Sequence, residues 1–260
     1  MRWTEEKLAS LPTRDGYRLR GEAMTRIEVF SDAAFAFAVT MLVISIESIP
    51  QNYEELLVAV KSVPAFAASF SVITVFWVSH RRWSSRFGLE DGVSNFLTLA
   101  LVFVILVYVY PLKLMMNVLF WAMSGGWLPA SFDVGYAYQV SGLVMFYGIG
   151  FCSASLINVG LYGRAEAKSE ELGLNRWELL VAKEDKRIWT IQASVAFVST
   201  LLAAIFYNNW GSLAGLAYCT VPILIPWLTA GTRKEKRALL AGEDKEGEES
   251  QESDESVSTS

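Results

Sequence analysis

Three ionisable side chains open the first long apolar run of the chain, in the segment Thr25-Arg26-Ile27-Glu28-Val29-Phe30-Ser31-Asp32. Arg26 and Glu28 can reach a headgroup layer. Asp32 lies roughly 9 Å further along a helix rising about 1.5 Å per residue, and a carboxylate at that depth needs a partner. Arg26 and Asp32 point about 120° apart around such a helix, so they are no natural i,i+4 pair. The partner of Asp32 must come from another helix. The second apolar run ends Phe76-Trp77-Val78-Ser79-His80-Arg81-Arg82, and the third opens with Asn95. Both bring polar groups close to the depth of Asp32. Arg26, Ser31, Asp32, His80 and Asn95 then form either one network tying the first three helices together or a set of ordinary interfacial residues. The spacing accommodates both. Membrane carboxylates and histidines also mark proton paths, so coupled transport of protons or small cations through Asp32 and His80 stands beside passive conduction as a second class of function.

The elements that position these groups follow from composition. The chain has 260 residues, of which 53% are hydrophobic, 19% charged and 13% aromatic. Apolar residues bunch into six runs, at about 27–46, 63–79, 93–112 (with a weaker continuation to 121), 137–162, 188–207 and 213–228. About 20 apolar residues span the hydrocarbon as a helix, and these runs lack the polar stripe of a soluble bundle. The fold class expected is an all-α membrane protein with six transmembrane helices. Every Lys and Arg of the 22 except Lys61 and Lys113 falls on one side of that topology. The positive-inside rule puts both termini in the cytoplasm, as an even number of spans also requires. The charged stretch before the first span is too long for a usual signal-peptide n-region, which predicts a retained signal anchor. Residues 1–23 read as a cytoplasmic N-terminal segment, 24–232 as the six-helix membrane domain and 233–260 as an acidic cytoplasmic tail. Residues 241–260 carry eight acids against one base, so the tail accounts for the formal charge of −5, and its composition predicts disorder.

The first span also carries a stripe. Phe37, Thr40, Met41, Ile44 and Ser48 follow helical spacing on one face, flanked by Ala33, Ala34, Ala36 and Ala38, which allow close helix approach. Such a stripe ordinarily means packing. One such helix encloses no pore, but several copies around a symmetry axis do. Apolar rings gate by dewetting, hydroxyls replace part of an ion's hydration shell, and Glu47 adds negative charge at the outer end.

Other features exclude function classes. One histidine and two isolated cysteines, Cys152 and Cys219, give no metal spacing and no redox pair. No catalytic constellation and no cofactor motif is visible, so no enzyme is expected. The near-neutral body excludes a nucleic-acid binder driven by basic charge. Asp133-Val134-Gly135-Tyr136-Ala137 is similar to a potassium filter loop but lacks its leading Thr, its closing Gly and a pore helix. Gly211 with Gly215, and Gly142, Gly148 and Gly150, read as helix-packing positions. Pro222 and Pro226 can kink the sixth span, and Lys113 can snorkel. No internal repeat of the kind many secondary transporters show is apparent.

Arg26-x-x-x-Phe30-Ser31-Asp32 on the first span, Thr40 eight residues after the Asp, Trp77-x-x-His80 on the second and Asn95 on the third together resemble the signature of the transmembrane protein 175 family, whose members are potassium-permeable channels. The resemblance covers mainly residues 24–112. The size of a single six-span unit fits a prokaryotic plasma membrane, and the resemblance implies a homotetramer with the first helix of each subunit lining a central pore. It implies a constriction at Phe37, with a Thr40 ring beyond it and Ile44 a turn further out. Arg26, Phe30, Ser31, Asp32, Trp77, His80 and Asn95 then act as an inter-helix network rather than as ion ligands. Potassium is the permeant ion, no cofactor is needed, and the partners are other copies of the chain and membrane lipids. Family members usually carry Ile or Leu where this chain has Phe37, and four phenyl rings at one level would nearly close a narrow pore.

Overall fold

The computed structural model describes residues 3–14, 16–21, 23–44, 50–130, 136–208 and 211–232. The acidic tail, Glu47, Ser48 and the Asp133–Gly135 part of the filter-like stretch lie outside the described residues. A short helix α1 (Glu5–Ala9) leads into an antiparallel pair β1 (Thr13–Arg14) and β2 (Tyr17–Arg18). Then come α2 (Arg26–Ile44), α3 (Tyr53–Lys61), α4 (Val63–Phe87), α5 (Gly92–Met123), α6 (Ala137–Ala167), α7 (Ser169–Leu172) and α8 (Arg176–Ile205). A 3₁₀ segment, Gly211–Thr220, continues as α-helix over 221–232. Six helical stretches are long and apolar enough to cross a membrane, as the sequence predicts: Arg26–Ile44, Tyr53–Phe87, Gly92–Met123, Ala137–Ala167, Arg176–Ile205 and Gly211–Thr232.

Several helices run past the ends of their apolar runs. α4 continues eight residues beyond Ser79 to the αL cap at Gly88, and α8 starts at Arg176 instead of near Ile188. The charges in these extensions hide them from a hydropathy reading, but local caps set the true ends. Asn175 accepts from the Glu178 N–H and Glu178 returns the bond to the Asn175 N–H, a reciprocal capping box. Asp91 caps α5 by accepting from the Ser94 N–H at 2.9 Å. The third span is continuous through Pro111, so the weak continuation of the run is helical.

The core is built mainly from α4, α5 and α6, with α2 and α8 packed against them. Phe76 stacks on Trp189 at 5.1 Å between ring centroids and meets Phe151 edge-on at 5.4 Å. The Trp189 Nε1–H donates to Ser79 Oγ at 2.9 Å, Ser79 donates to Asn158 Oδ1 at 3.2 Å, and the Trp83 Nε1–H donates to the Leu161 carbonyl at 2.8 Å. In a membrane there is little hydrophobic drive between helices, so such bonds and close packing hold them. Gly148 and Gly150 serve that packing. An added Cβ would meet Thr200 at Gly148 and the Tyr108 ring at Gly150. Gly211 lies against the Ala203 and Phe206 carbonyls, and Gly215 near Met115. Phe96, Phe103, Phe146 and Phe197 point outward and are largely exposed, as lipid-facing side chains are.

The N-terminal segment folds onto the basic end of the bundle. The Arg20 guanidinium binds both oxygens of Glu178 at 3.0 and 2.8 Å, with both side chains fully buried. It also donates to the Leu172 and Gly173 carbonyls. The Arg18 N–H completes the Glu178 shell at 3.0 Å. Arg86 lies 3.9 Å over the Tyr17 ring and pairs with Asp185 at 2.9 Å. Burial pushes the Tyr17 phenol far above its usual range, against the opposing pull of Arg86. Gly21 and Gly88 touch backbone to backbone. A Cβ on Gly21 would sit 2.4 Å from the Ser84 carbonyl oxygen, and Gly88 has φ +54°, which favours glycine. Residues 3–21 therefore share one end of the bundle with the α4–α5 and α6–α8 turns.

Candidate functional site: the first helix and its partners

The ionisable groups of helix α2 lie at one end only, and its start is written in Thr25-x-x-Glu28. The Thr25 N–H donates to Glu28 Oε2 at 2.7 Å and the Glu28 N–H to Thr25 Oγ1 at 3.3 Å, the capping-box arrangement. One face of the helix packs inward, with Ser31, Phe35, Ala38 and Leu42 buried against α4 and α5. The opposite face is bare. Arg26, Phe30, Ala33, Phe37, Thr40 and Ile44 are all exposed, Phe37 at 55% and Ile44 at 67%. Their spacing alternates four and three residues, the seam along which helices of separate chains pack in a left-handed supercoil. Thr40 Oγ donates to the Ala36 carbonyl at 2.9 Å, which leaves its oxygen lone pairs directed off the helix. Met41 departs from this face. It is half-buried and packs on the core, because it lies a residue's turn, about 100°, from Thr40.

The motif residues do not close into a single network. The Trp77 Nε1–H donates to Asp32 Oδ1 at 2.8 Å, which supplies the partner that the depth of Asp32 requires and ties α2 to α4. Buried His80 bonds instead to Thr98 on α5, Nε2 to Oγ1 at 3.1 Å. To α2, His80 makes a tilted ring contact with Phe35, 6.5 Å between centroids, and lies within electrostatic reach of Asp32 and Glu28. Ser31 is buried but donates to its own helix at Ile27. Asn95 donates locally to the Glu90 carbonyl at 3.4 Å. Arg26 and Phe30 project from the bare face, and no ion pair joins Arg26 among the described residues. The network expected from the sequence is thus two separate inter-helix bonds, Asp32–Trp77 and His80–Thr98.

Sequence reasoning missed Thr98 and the Arg20–Glu178 pair, and read Glu28 only as a charge facing the headgroups. Thr98 lies on α5 one turn beyond Asn95 and carried no motif. Glu28 also reaches Ser84 on α4 through a short hydrogen bond. Arg20 and Glu178 were legible only as members of charge runs, although Asn175-x-x-Glu178 carried a capping signal. Among the described residues no three His, Cys, Asp or Glu side chains gather as metal ligands.

Residues 26–111 match the family described as the endosomal/lysosomal potassium channel TMEM175. A potassium channel of Marivirga tractuosa is 34% identical over 234 residues, which is 86% of this chain and 94% of that protein. A potassium channel of Chamaesiphon minutus is 40% identical over 74 residues, 25% of this chain and 36% of that one. The crystal structure of a threonine-to-alanine variant of the potassium channel MtTMEM175, in complex with a nanobody–MBP fusion protein, superposes with a TM-score of 0.73 at 30% identity, covering 86% of this chain and all of that one. A homologue, from Chamaesiphon minutus, of the lysosomal potassium-selective channel TMEM175 shares the fold alone, with a TM-score of 0.51 at 21% identity over 80% of this chain and 96% of that one. With the six-span fold, the motif-bearing first helix and a relative matched along nearly its whole length, the chain belongs to the TMEM175 family.

Proposed function

We propose that the chain is a potassium-permeable cation channel, assembled as a homotetramer around a pore lined by α2. The observation that carries this reading is the bare α2 face. Membrane helices bury small and polar residues against other helices. A continuous stripe holding Arg26, Ala33 and Thr40 is poorly suited to lipid and well suited to an axis shared by several copies. Phe37 is the constriction, Thr40 the hydroxyl ring above it and Ile44 the next apolar level, with Met41 on the flank. Asp32, Trp77, His80 and Thr98 hold the inner ends of α2, α4 and α5 in place. The basic end faces the cytoplasm of a prokaryotic plasma membrane, with both termini on that side, and residues 233–260 form an acidic cytoplasmic tail. The runner-up, a proton- or ion-coupled transporter using Asp32 and His80, draws less support, because these two groups bond to different partners.

Flux into liposomes separates the two. Potassium uptake through the purified protein is expected to follow the potassium gradient and to persist when the proton gradient is collapsed. Uptake that vanishes with the proton gradient would place the function in Asp32 and His80. Asp32→Ala leaves the Trp77 N–H unsatisfied and is expected to destabilise by about 1–3 kcal/mol. Its effect should appear in tetramer yield on size exclusion, with the potassium-to-sodium flux ratio unchanged. A normal tetramer with altered ion preference would make Asp32 an ion-handling residue.

A further inference from the structure

A cavity of about 140 Å³ lies at the basic end between α2, α4 and α5, its polar lining made by Glu28, His80, Ser84, Asn95 and Thr98, with Arg20 and Glu90 also on its wall. Its chemistry is unbalanced. The Glu28 carboxylate, itself partly buried, takes hydrogen bonds from the Thr25 N–H and from Ser84, both neutral donors. None of the ion pairs among the described residues includes Glu28. The nearby Arg20 guanidinium is occupied by both oxygens of Glu178. His80 faces Thr98. A partly buried carboxylate without a paired cation is costly, and a cation that brings its own positive charge compensates it.

We propose that this cavity is a binding site for one monovalent alkali cation, distinct from any pore ion and acting as a structural counter-ion to Glu28. The ligand set is all oxygen: the Glu28 carboxylate, the Ser84 and Thr98 hydroxyls and the Asn95 side-chain carbonyl. Of the two acidic residues on the cavity wall, Glu28 is partly buried and Glu90 is exposed to water; one partly buried negative charge suits a monovalent ion, whereas divalent ions are held by several carboxylates. Soft metals find neither thiolate nor a cluster of ligating side chains here. The volume admits the ion with one or a few waters, since a water occupies about 30 Å³ in the liquid. The ligands come from three helices, Glu28 from α2, Ser84 from α4, and Asn95 and Thr98 from α5. A bound cation would therefore fasten the base of α2 to its two neighbours, one turn below Asp32. The inference does not require the pore to lie on α2.

Thallium(I), a potassium surrogate visible by anomalous scattering, tests the site. Crystals of the full chain grown in a saturating thallium(I) salt are expected to show an anomalous peak between the Glu28 carboxylate and Asn95. Glu28→Gln should abolish that peak while leaving any peak on the oligomer axis, and Asn95→Ala should weaken it, which covers the case in which the Glu28 variant fails to fold. Absence of a cavity peak at saturating thallium would overturn the proposal and leave water or a protonated His80 as the balance for Glu28. A peak of equal height in Glu28→Gln would overturn it as well. Loss of peaks on the axis alone would count against the pore reading and not against this site.

Discussion

Phe37→Ala is expected to raise potassium flux through reconstituted protein roughly tenfold or more, which corresponds to removing about 1.4 kcal/mol of barrier. Phe37 lies on the bare face of α2 and is 55% exposed within one chain. Truncating it opens no hole in the subunit core, whose α2 contributions are Phe35, Ala38 and Leu42. In the proposed tetramer the change falls on the axis. Four phenyl rings at one level obstruct a narrow passage and favour its dewetting, and removing them lowers both barriers. Thr40 then becomes the narrowest polar level, so the selectivity that remains should depend on its hydroxyl. Phe37→Leu should give an intermediate flux. Flux equal to the parent in a well-assembled Phe37→Ala tetramer would remove Phe37 from the constriction and point to a rotation of α2 about its axis.

The largest stability effect is expected at Glu178. Glu178→Ala strands the fully buried Arg20 guanidinium, and removing one partner of a buried ion pair costs about 3–5 kcal/mol. Arg18 and Asn175 lose hydrogen-bond acceptors in the same step, and the α8 capping box is lost. A thermal-unfolding midpoint lowered by about 10 °C in detergent is the corresponding signature, at roughly 2–4 °C per kcal/mol for a chain of this size. The double variant Arg20→Met with Glu178→Met should recover much of the loss, because an apolar pair of similar volume can replace a buried ion pair. A single Glu178→Ala variant as stable as the parent would show that residues 3–21 are not held on the bundle by this contact. The readout is independent of conduction, so it tests the docking of the N-terminal segment by itself.

The parts of this protein legible in its sequence are those governed by local physics. Hydrocarbon thickness against helix rise gives six spans, because a membrane leaves the backbone no alternative to helix. The charge asymmetry gives the basic end, onto which residues 3–21 then fold. The depth of Asp32 required a partner from another helix, and Trp77 Nε1 supplies it. The spacing of Phe37, Thr40 and Ile44 predicted one face, and that face is bare.

Tertiary structure alone decided which polar groups meet. His80 turned to Thr98, a residue with no signature of its own, and Asn95 turned back to its own loop, because pairing across helices depends on their rotation and axial offset. A sequence period specifies neither. The same limit hid Arg20–Glu178, whose members are 158 residues apart and sit inside ordinary-looking charge runs. Met41 shows the scale of the effect. One residue from Thr40, it is carried against the edge of the core by about 100° of helical rotation, and only the packing of α2 against α4 and α5 determines on which side of that boundary each residue falls.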